Sequence, residues 1–199
     1  MNTDKEDNTL EVGPDSLEVA RELHIPGIFG IVEKLKMNPR TPEPEKLARG
    51  FLTYTFNACG YARRLNELFI VQTQGNKVGG FLMCYDRAFL QILINDGEEK
   101  HETSILNFIQ SLEPKNDFVY GGQVGVDPEA RQRGVGRRMI ERVLALMRSR
   151  HIKHMYAAIL HAPVRNDVSI AFSVATGAQN VGEVLNDDGL LWGIYRWSV

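Results

Sequence analysis

The stretch from Phe118 to Arg150 constrains this chain more than any other. Phe118 to Val126 is apolar and interrupted by Gly121, Gly122 and Gly125. It reads as a strand with a bulge, or with another backbone or a ligand lying close against it. Asp127-Pro128 turns the chain. A short loop bearing Gly134 then opens straight into a helix predicted from Gly136 to Arg150. There Val135, Met139, Ile140, Val143, Leu144, Leu146 and Met147 share one face, and the arginines fall largely on the other. A strand that feeds a glycine loop and then a helix places unpaired backbone N–H groups, with positive partial charge, at the helix mouth. A phosphate group can accept from them. Gly134 and Gly136 carry no side chain to hold it away, and Arg131, Arg133, Arg137 and Arg138 add positive charge at the same pole. The other reading is a capped amphipathic helix with a solvated basic face. The glycine in the first turn argues against it, because Gly lowers helix propensity by roughly 0.8–1.0 kcal/mol relative to Ala. The loop is neither a P-loop, since no Gly-Lys-Ser or Gly-Lys-Thr follows, nor the dinucleotide fingerprint with its own glycine spacing.

The remaining chain supplies a sheet and its cover. Leu17 to Leu23 alternates and predicts a first strand. A helix opens near Pro26 and runs to about Met37. Beyond a proline-rich break, Thr41 is a candidate cap for a second helix, from about Glu43 to Asn66. Leu68–Gln74 and Lys77–Tyr85 flank Gly75-Asn76 and predict a hairpin. An acidic connection, Asn95 to Glu102, leads to a short helix at Thr103–Leu112. His154–Leu160 is a strand, and Val168–Thr176 is a helix capped by Asn166 or Asp167 and ended by Gly177. Strands near Gln179–Leu185 and Leu190–Ser198 flank the Asn186-Asp187-Asp188-Gly189 turn. The expected fold is α/β (α+β), with a mixed, mostly antiparallel twisted sheet of about seven strands and helices on both faces. A flexible segment is expected over residues 1–15, and a single domain over 16–199.

Composition bounds the function. Net charge is -2, so nothing global points to nucleic acid or an anionic membrane, although Arg131 to His154 is locally basic. The N-terminus lacks a leader-like apolar run and no window is long enough to span a bilayer, so a cytoplasmic location is expected. Cys59 and Cys84 lack metal-ligand spacing and are expected to be buried free thiols.

Arg131-x-x-Gly134-x-Gly136, preceded by Val124-Gly125-Val126-Asp127-Pro128, resembles the signature of the GNAT superfamily of N-acetyltransferases. The resemblance is sharpest from about Phe118 to Gly177. It implies acetyl-CoA, or another acyl-CoA, as co-substrate, with no metal. By that likeness the backbone of Val124 and Val126, with Gly125 between them, pairs with the pantetheine arm. The amides of Gln132, Arg133, Gly134, Val135, Gly136 and Arg137 cradle the diphosphate, and Asn166 matches a family asparagine near the cofactor. The family often has a Tyr acid where this chain has Ser173, with Phe172 before it. Its Gly-Phe after this helix is Gly177-Ala178 here.

The resemblance implies direct transfer through a ternary complex to a primary amine of a small molecule or peptide. A backbone N–H near Val124 would meet the oxyanion, and a base would take the amine's proton. The strand Phe118 to Val126 carries no carboxylate. The remaining candidates for the base are Tyr120, Gln123 as a water holder, Asp86 and His161. The alternative for His161 is a loop histidine with no role, and for Tyr120 a packed strand aromatic. His151 and His154 are expected at the basic end of the helix.

The alternative function is an acyl-CoA sensor of the same fold without turnover. Nucleic-acid binding through the arginine helix is the weakest reading, because the chain is acidic overall. No membrane partner is expected. The acidic residues Asp96, Glu98, Glu99 and Glu102 would attract a cationic amine or simply form a solvated loop. A homodimer through the terminal strands is left open.

Overall fold

The computed structural model describes residues 15–97, 103–131 and 133–199. The N-terminal segment 1–14, the acidic Glu98, Glu99 and Glu102, and Gln132 lie outside the described residues.

The elements run β1 (Asp15–Val19), α1 (Ile25–Leu35), α2 (Pro44–Leu47), α3 (Ala58–Arg63), β2 (Phe69–Gln74), β3 (Lys77–Asp86), α4 (Arg87–Asn95) and α5 (Thr103–Leu112). They continue through β4 (Phe118–Val126), α6 (Val135–Ser149), β5 (His154–Ala162), α7 (Asp167–Ala175), β6 (Gln179–Leu185) and β7 (Leu191–Ser198). The strands form one seven-stranded sheet in the order β1-β2-β3-β4-β5-β7-β6. β4 and β5 run parallel and every other neighbouring pair is antiparallel. Side chains of a strand alternate between faces, so the sheet buries an apolar layer on each. One face packs Ile28, Ile31 and Val32 of α1, Tyr61 of α3, Leu90 and Leu93 of α4, and Ile105 and Ile109 of α5. The other packs Met139, Ile140, Val143 and Met147 of α6, with Ile170 and Phe172 of α7 against them. The expected mixed sheet with helices on both faces is the fold observed.

Several local expectations are corrected. The first strand ends at Val19, and Glu22–His24 is a 3-10 turn that leaves Leu23 69% exposed. The single helix expected from Glu43 to Asn66 is two short ones. The first ends at Leu47, Gly50 then turns the chain at φ +76, and Phe51 and Leu52 run extended and buried. The Leu52 N–H donates to the Leu35 carbonyl at 3.0 Å, and the Met37 N–H donates to the Leu52 carbonyl at 2.9 Å. Glu43, not Thr41, occupies the cap position of α2. The sequence reading passed over α4, whose cap is the Asp86 carboxylate, accepting from the Phe89 N–H at 2.8 Å. Cys84 is buried and Cys59 is exposed. His154 opens β5, bonded to the buried Glu113, instead of sitting at the helix end. The C-terminal strand β7 is interior, so the sheet edges are β1 and β6. No helix among the described residues is long and apolar enough to cross a membrane.

The turn after β4 is pinned to α1. Asp127 is 3% exposed, and its carboxylate accepts from the Lys34 ammonium at 2.9 and 3.2 Å and from the Glu129 N–H at 3.0 Å. Burial alone would push its pKa up. The Glu129 amide and the Lys34 charge outweigh that and hold it below the ordinary carboxylate value. A carboxylate depressed in the folded state contributes stability above its unfolded pKa, and that stability is lost as pH falls through the folded value. Asp127→Asn is expected to cost about 1–3 kcal/mol at neutral pH by urea denaturation. The gap to wild type should narrow as pH falls below the ordinary carboxylate range and the native carboxylate also protonates; a gap of constant size would contradict this role.

Candidate functional site

β4 and β5 pair only from Phe118 to Gly121 and from His154 to Ala157, yet both strands continue, to Val126 and Ala162. Beyond Gly121 the two strands part. On its other side β4 carries a bulge, because Gly121 faces Cys84 and Gln123 faces Met83, with Gly122 between them. The β4 glycines serve packing. A side chain at Gly125 would strike the Phe81 ring at 2.5 Å, and one at Gly122 would meet the Tyr85 ring at 3.0 Å.

A cleft of about 380 Å³ opens at the start of α6. Val124 and Val126 of β4, Arg131, Gly134 to Arg137 at the start of α6, Gly50 to Leu52, and Val168, Ser169 and Phe172 of α7 line it. Gly134 caps α6 at φ +70 with open space where a side chain would be. The first intrahelical bond runs from the Arg138 N–H to the Gly134 carbonyl at 3.0 Å. The N–H groups of Val135, Gly136 and Arg137 therefore have no acceptor within the helix. Gly136 serves a different purpose: a side chain there would meet the Phe172 ring at 3.0 Å. The arginines divide. Arg131 and Arg137 line the cleft, with Arg49 of the α2–α3 connection beside them. The Arg131 guanidinium donates to the Arg49 carbonyl, and burial and the nearby Arg49 charge lower its pKa; the two guanidinium charges together make this wall attractive to an anion. Arg137 also pairs with Glu141 at 3.0 Å. Arg138 turns to the Arg133 carbonyl and to Asp15, and Arg133 lines a separate hollow with Lys77 and Glu129.

The cleft narrows into an inner cavity of about 100 Å³ where the strands part, and Phe51, Leu52, Val124, Ser169 and Phe172 line both spaces. Tyr120 and Ser173, at 1% and 4% exposure, both line this cavity. Tyr54, Gln123, Asn166 and Trp192 also line it, and no charged side chain among the described residues does. Gln123 is fully engaged: its carbonyl accepts from the Tyr61 hydroxyl, and its amide donates to the Tyr54 carbonyl, both at 2.8 Å. Burial pushes the Tyr61 hydroxyl up to about 12, so it stays a donor. Asn166 caps α7 by accepting from the Ser169 N–H and ties that helix to the Phe51 carbonyl at 2.9 Å. The Trp192 indole N–H is buried and has no hydrogen-bond partner among the described residues.

His161 does not line this cavity. Its Nδ1 lies 2.6 Å from Glu183 and its Nε2 lies 3.1 Å from the Tyr195 hydroxyl, in the β5-β7-β6 part of the sheet. Asp86 is spent on capping α4. Among the described residues no group of His, Cys, Asp or Glu could hold a metal ion.

On the far side of Tyr54 lies an outer pocket of about 500 Å³, between the α1–α2 connection and the β6–β7 turn. Thr53 and Tyr54 line both this pocket and the inner cavity. Sequence reasoning missed Arg49, the extended Gly50–Tyr54 wall, and Trp192. Gly50 inside an otherwise helical pattern was the available signal for the wall.

No curated protein matches the sequence. Solved structures of similar fold include Ard1 from Thermoplasma volcanium, at 15% identity over 93% of this chain and 97% of that one, with a TM-score of 0.63. Polyamine N-acetyltransferase from Drosophila melanogaster superposes at 12% identity over 94% of this chain and 100% of its own, with a TM-score of 0.60. Arabidopsis thaliana Naa50, in complex with a bisubstrate analogue, does so at 15% identity over 93% and 99%, with a TM-score of 0.57. The family model "Acetyltransferase (GNAT) family" matches residues 33–173, from α1 through the inner-cavity serine of α7. With the parted strands and the open helix mouth inside that span, the chain belongs to the GNAT acetyltransferase family and is an acyl-CoA-dependent N-acyltransferase.

Proposed function

We infer that this protein transfers an acetyl group from acetyl-CoA to a primary amine of a small molecule or peptide, by direct attack in a ternary complex. The observation that carries this is the break in β4–β5 pairing. It joins the basic helix mouth on one side to the outer pocket on the other, so two substrates can meet inside one sheet. The free backbone N–H groups of Val135 to Arg137, with Arg49, Arg131 and Arg137, suit a diphosphate. The edge of β4 beyond Gly121 offers Val124 and Val126 to an amide-bearing arm, as an added strand would pair. Main-chain N–H groups of this unpaired stretch are the available donors for an oxyanion in a cavity free of charged side chains. Ser173, on the inner-cavity wall, holds the chain position at which the family often has its acid. Its hydroxyl can donate a hydrogen bond but is a poor proton source, so the thiolate leaves as the anion or through water.

The acceptor class fits both kinds of relative, a polyamine acetyltransferase and a protein held with the analogue CoA-Ac-MVNAL. Release of free thiol from acetyl-CoA with an amine panel tests the transfer.

Acetyl-CoA at about 100 times its Kd should stabilise the protein by about 2.7 kcal/mol, read as a rise in Tm. Gly134→Val puts a β-branched residue at φ +70 and fills the open space at the helix mouth. It should lower the apo Tm and abolish the acetyl-CoA shift. A variant that keeps the full shift would remove the helix mouth from donor binding.

A further inference from the structure

Of the candidates for the base, Asp86, Gln123 and His161 are committed elsewhere, and Tyr120 lines the inner cavity but not the outer pocket. One side chain spans the inner cavity and the outer pocket and touches a carboxylate: Tyr54. Its hydroxyl donates to Asp188 Oδ2 in the β6–β7 turn. Its ring stacks on Trp192 with centroids 5.5 Å apart and planes 25° apart, and its carbonyl is held by Gln123. The other carboxylate oxygen of Asp188 accepts from the Leu190 N–H at 3.2 Å. Arg40 reaches across from the α1–α2 connection to the Asp188 carbonyl at 2.6 Å. The couple is thus fixed from both walls of the pocket, and Asp188 is open enough to exchange a proton with water.

We propose that Tyr54 and Asp188 form the proton exit for the acceptor amine, with Tyr54 the catalytic residue that touches it and Asp188 the positioning residue that receives the proton. This rests on the transferase reading above. A primary amine arrives largely as the ammonium, since alkylammonium groups have pKa values of about 10 and peptide α-ammonium groups about 8. A phenol that donates to Asp188 still has lone pairs to accept an ammonium N–H. As the ammonium N–H bond breaks and its proton joins the phenol oxygen, the phenol O–H proton passes to the carboxylate. The products are a neutral amine, an intact phenol and a carboxylic acid, which returns its proton to solvent.

The other charged groups here do not compete for that proton. Lys36 pairs with Glu33 at 2.6 Å, Lys46 pairs with Glu43 at 2.9 Å, and Arg40 is bound to the turn's backbone. Asp187, also in the turn, is exposed.

The test is kcat/KM for the acceptor against pH at saturating acetyl-CoA, using whichever of spermidine, phenethylamine and an alanine-initiated peptide wild type acetylates fastest. Tyr54→Phe keeps the stacked ring and removes the hydroxyl. Asp188→Asn keeps an oxygen for the Leu190 N–H and tests the same route if the first variant is unstable. Both should lose about 10²-fold near pH 7. The loss should shrink at least about tenfold toward pH 10, where the free amine is already neutral. The acetyl-CoA shift in Tm should be unchanged. A loss of equal size at every pH, no loss, or a lost donor shift would overturn the proposal. If wild type binds acetyl-CoA but acetylates none of the three amines, the transferase reading itself falls.

Discussion

Everything functional here depends on hydrogen bonds that two parallel strands do not make. β4 and β5 pair through Gly121 and Ala157 and then diverge. Unmade sheet bonds inside a core are costly unless another group satisfies them. The fold meets part of that demand itself: the Leu160 carbonyl accepts from the Asn166 N–H at 3.0 Å. On the β5 side Val124 and Val126 face a cleft instead of a neighbouring strand, the edge we propose for the donor's arm.

The surrounding core holds the gap open. On one side the bulge at Gly122 and the Phe81 ring seated against Gly125 fix the course of β4. On the other, Phe172 packs on Gly136 and sets α7 against α6. Asn166 ties α7 to Phe51, so the cleft's two walls, α7 and the extended segment after Gly50, are one hydrogen-bonded unit. Lys34 and Asp127 anchor the turn that delivers the chain to the helix mouth. Packing on both faces of the sheet thus positions a loop whose own role is to expose backbone.

The strand-turn-helix unit was legible in the sequence because its signals are local. An apolar run ending in a turn marks β4, a period-3.6 stripe marks α6, and Gly134 marks a backbone position that other residues adopt only with strain. Gly125 and Gly136 also make room for Phe81 and Phe172, partners far away in sequence that no local signal reveals. Arg133 and Arg138 share the helix mouth in sequence but turn away from the cleft in space. The two-helix break at Gly50 was missed because Phe51 and Leu52 are apolar enough to continue a helical stripe, and only their tie to Leu35 and Met37 draws them out straight. α4 was missed although Asp86, followed by Leu90 and Leu93, is a readable cap and apolar stripe. The inner cavity was beyond sequence reasoning: Tyr54, Tyr120, Ser173 and Trp192 come from four separate elements and meet only when the sheet closes.

Hydrogen exchange of the backbone amides, compared with and without saturating acetyl-CoA, addresses the parted strands most directly. Strong slowing is expected, confined to residues 122–126 of β4 and 133–137 at the start of α6, with little change in β1, β2 or α5. Unchanged exchange in both stretches while acetyl-CoA is bound would contradict it, because the thioester carrier would then be held somewhere other than the gap in the sheet.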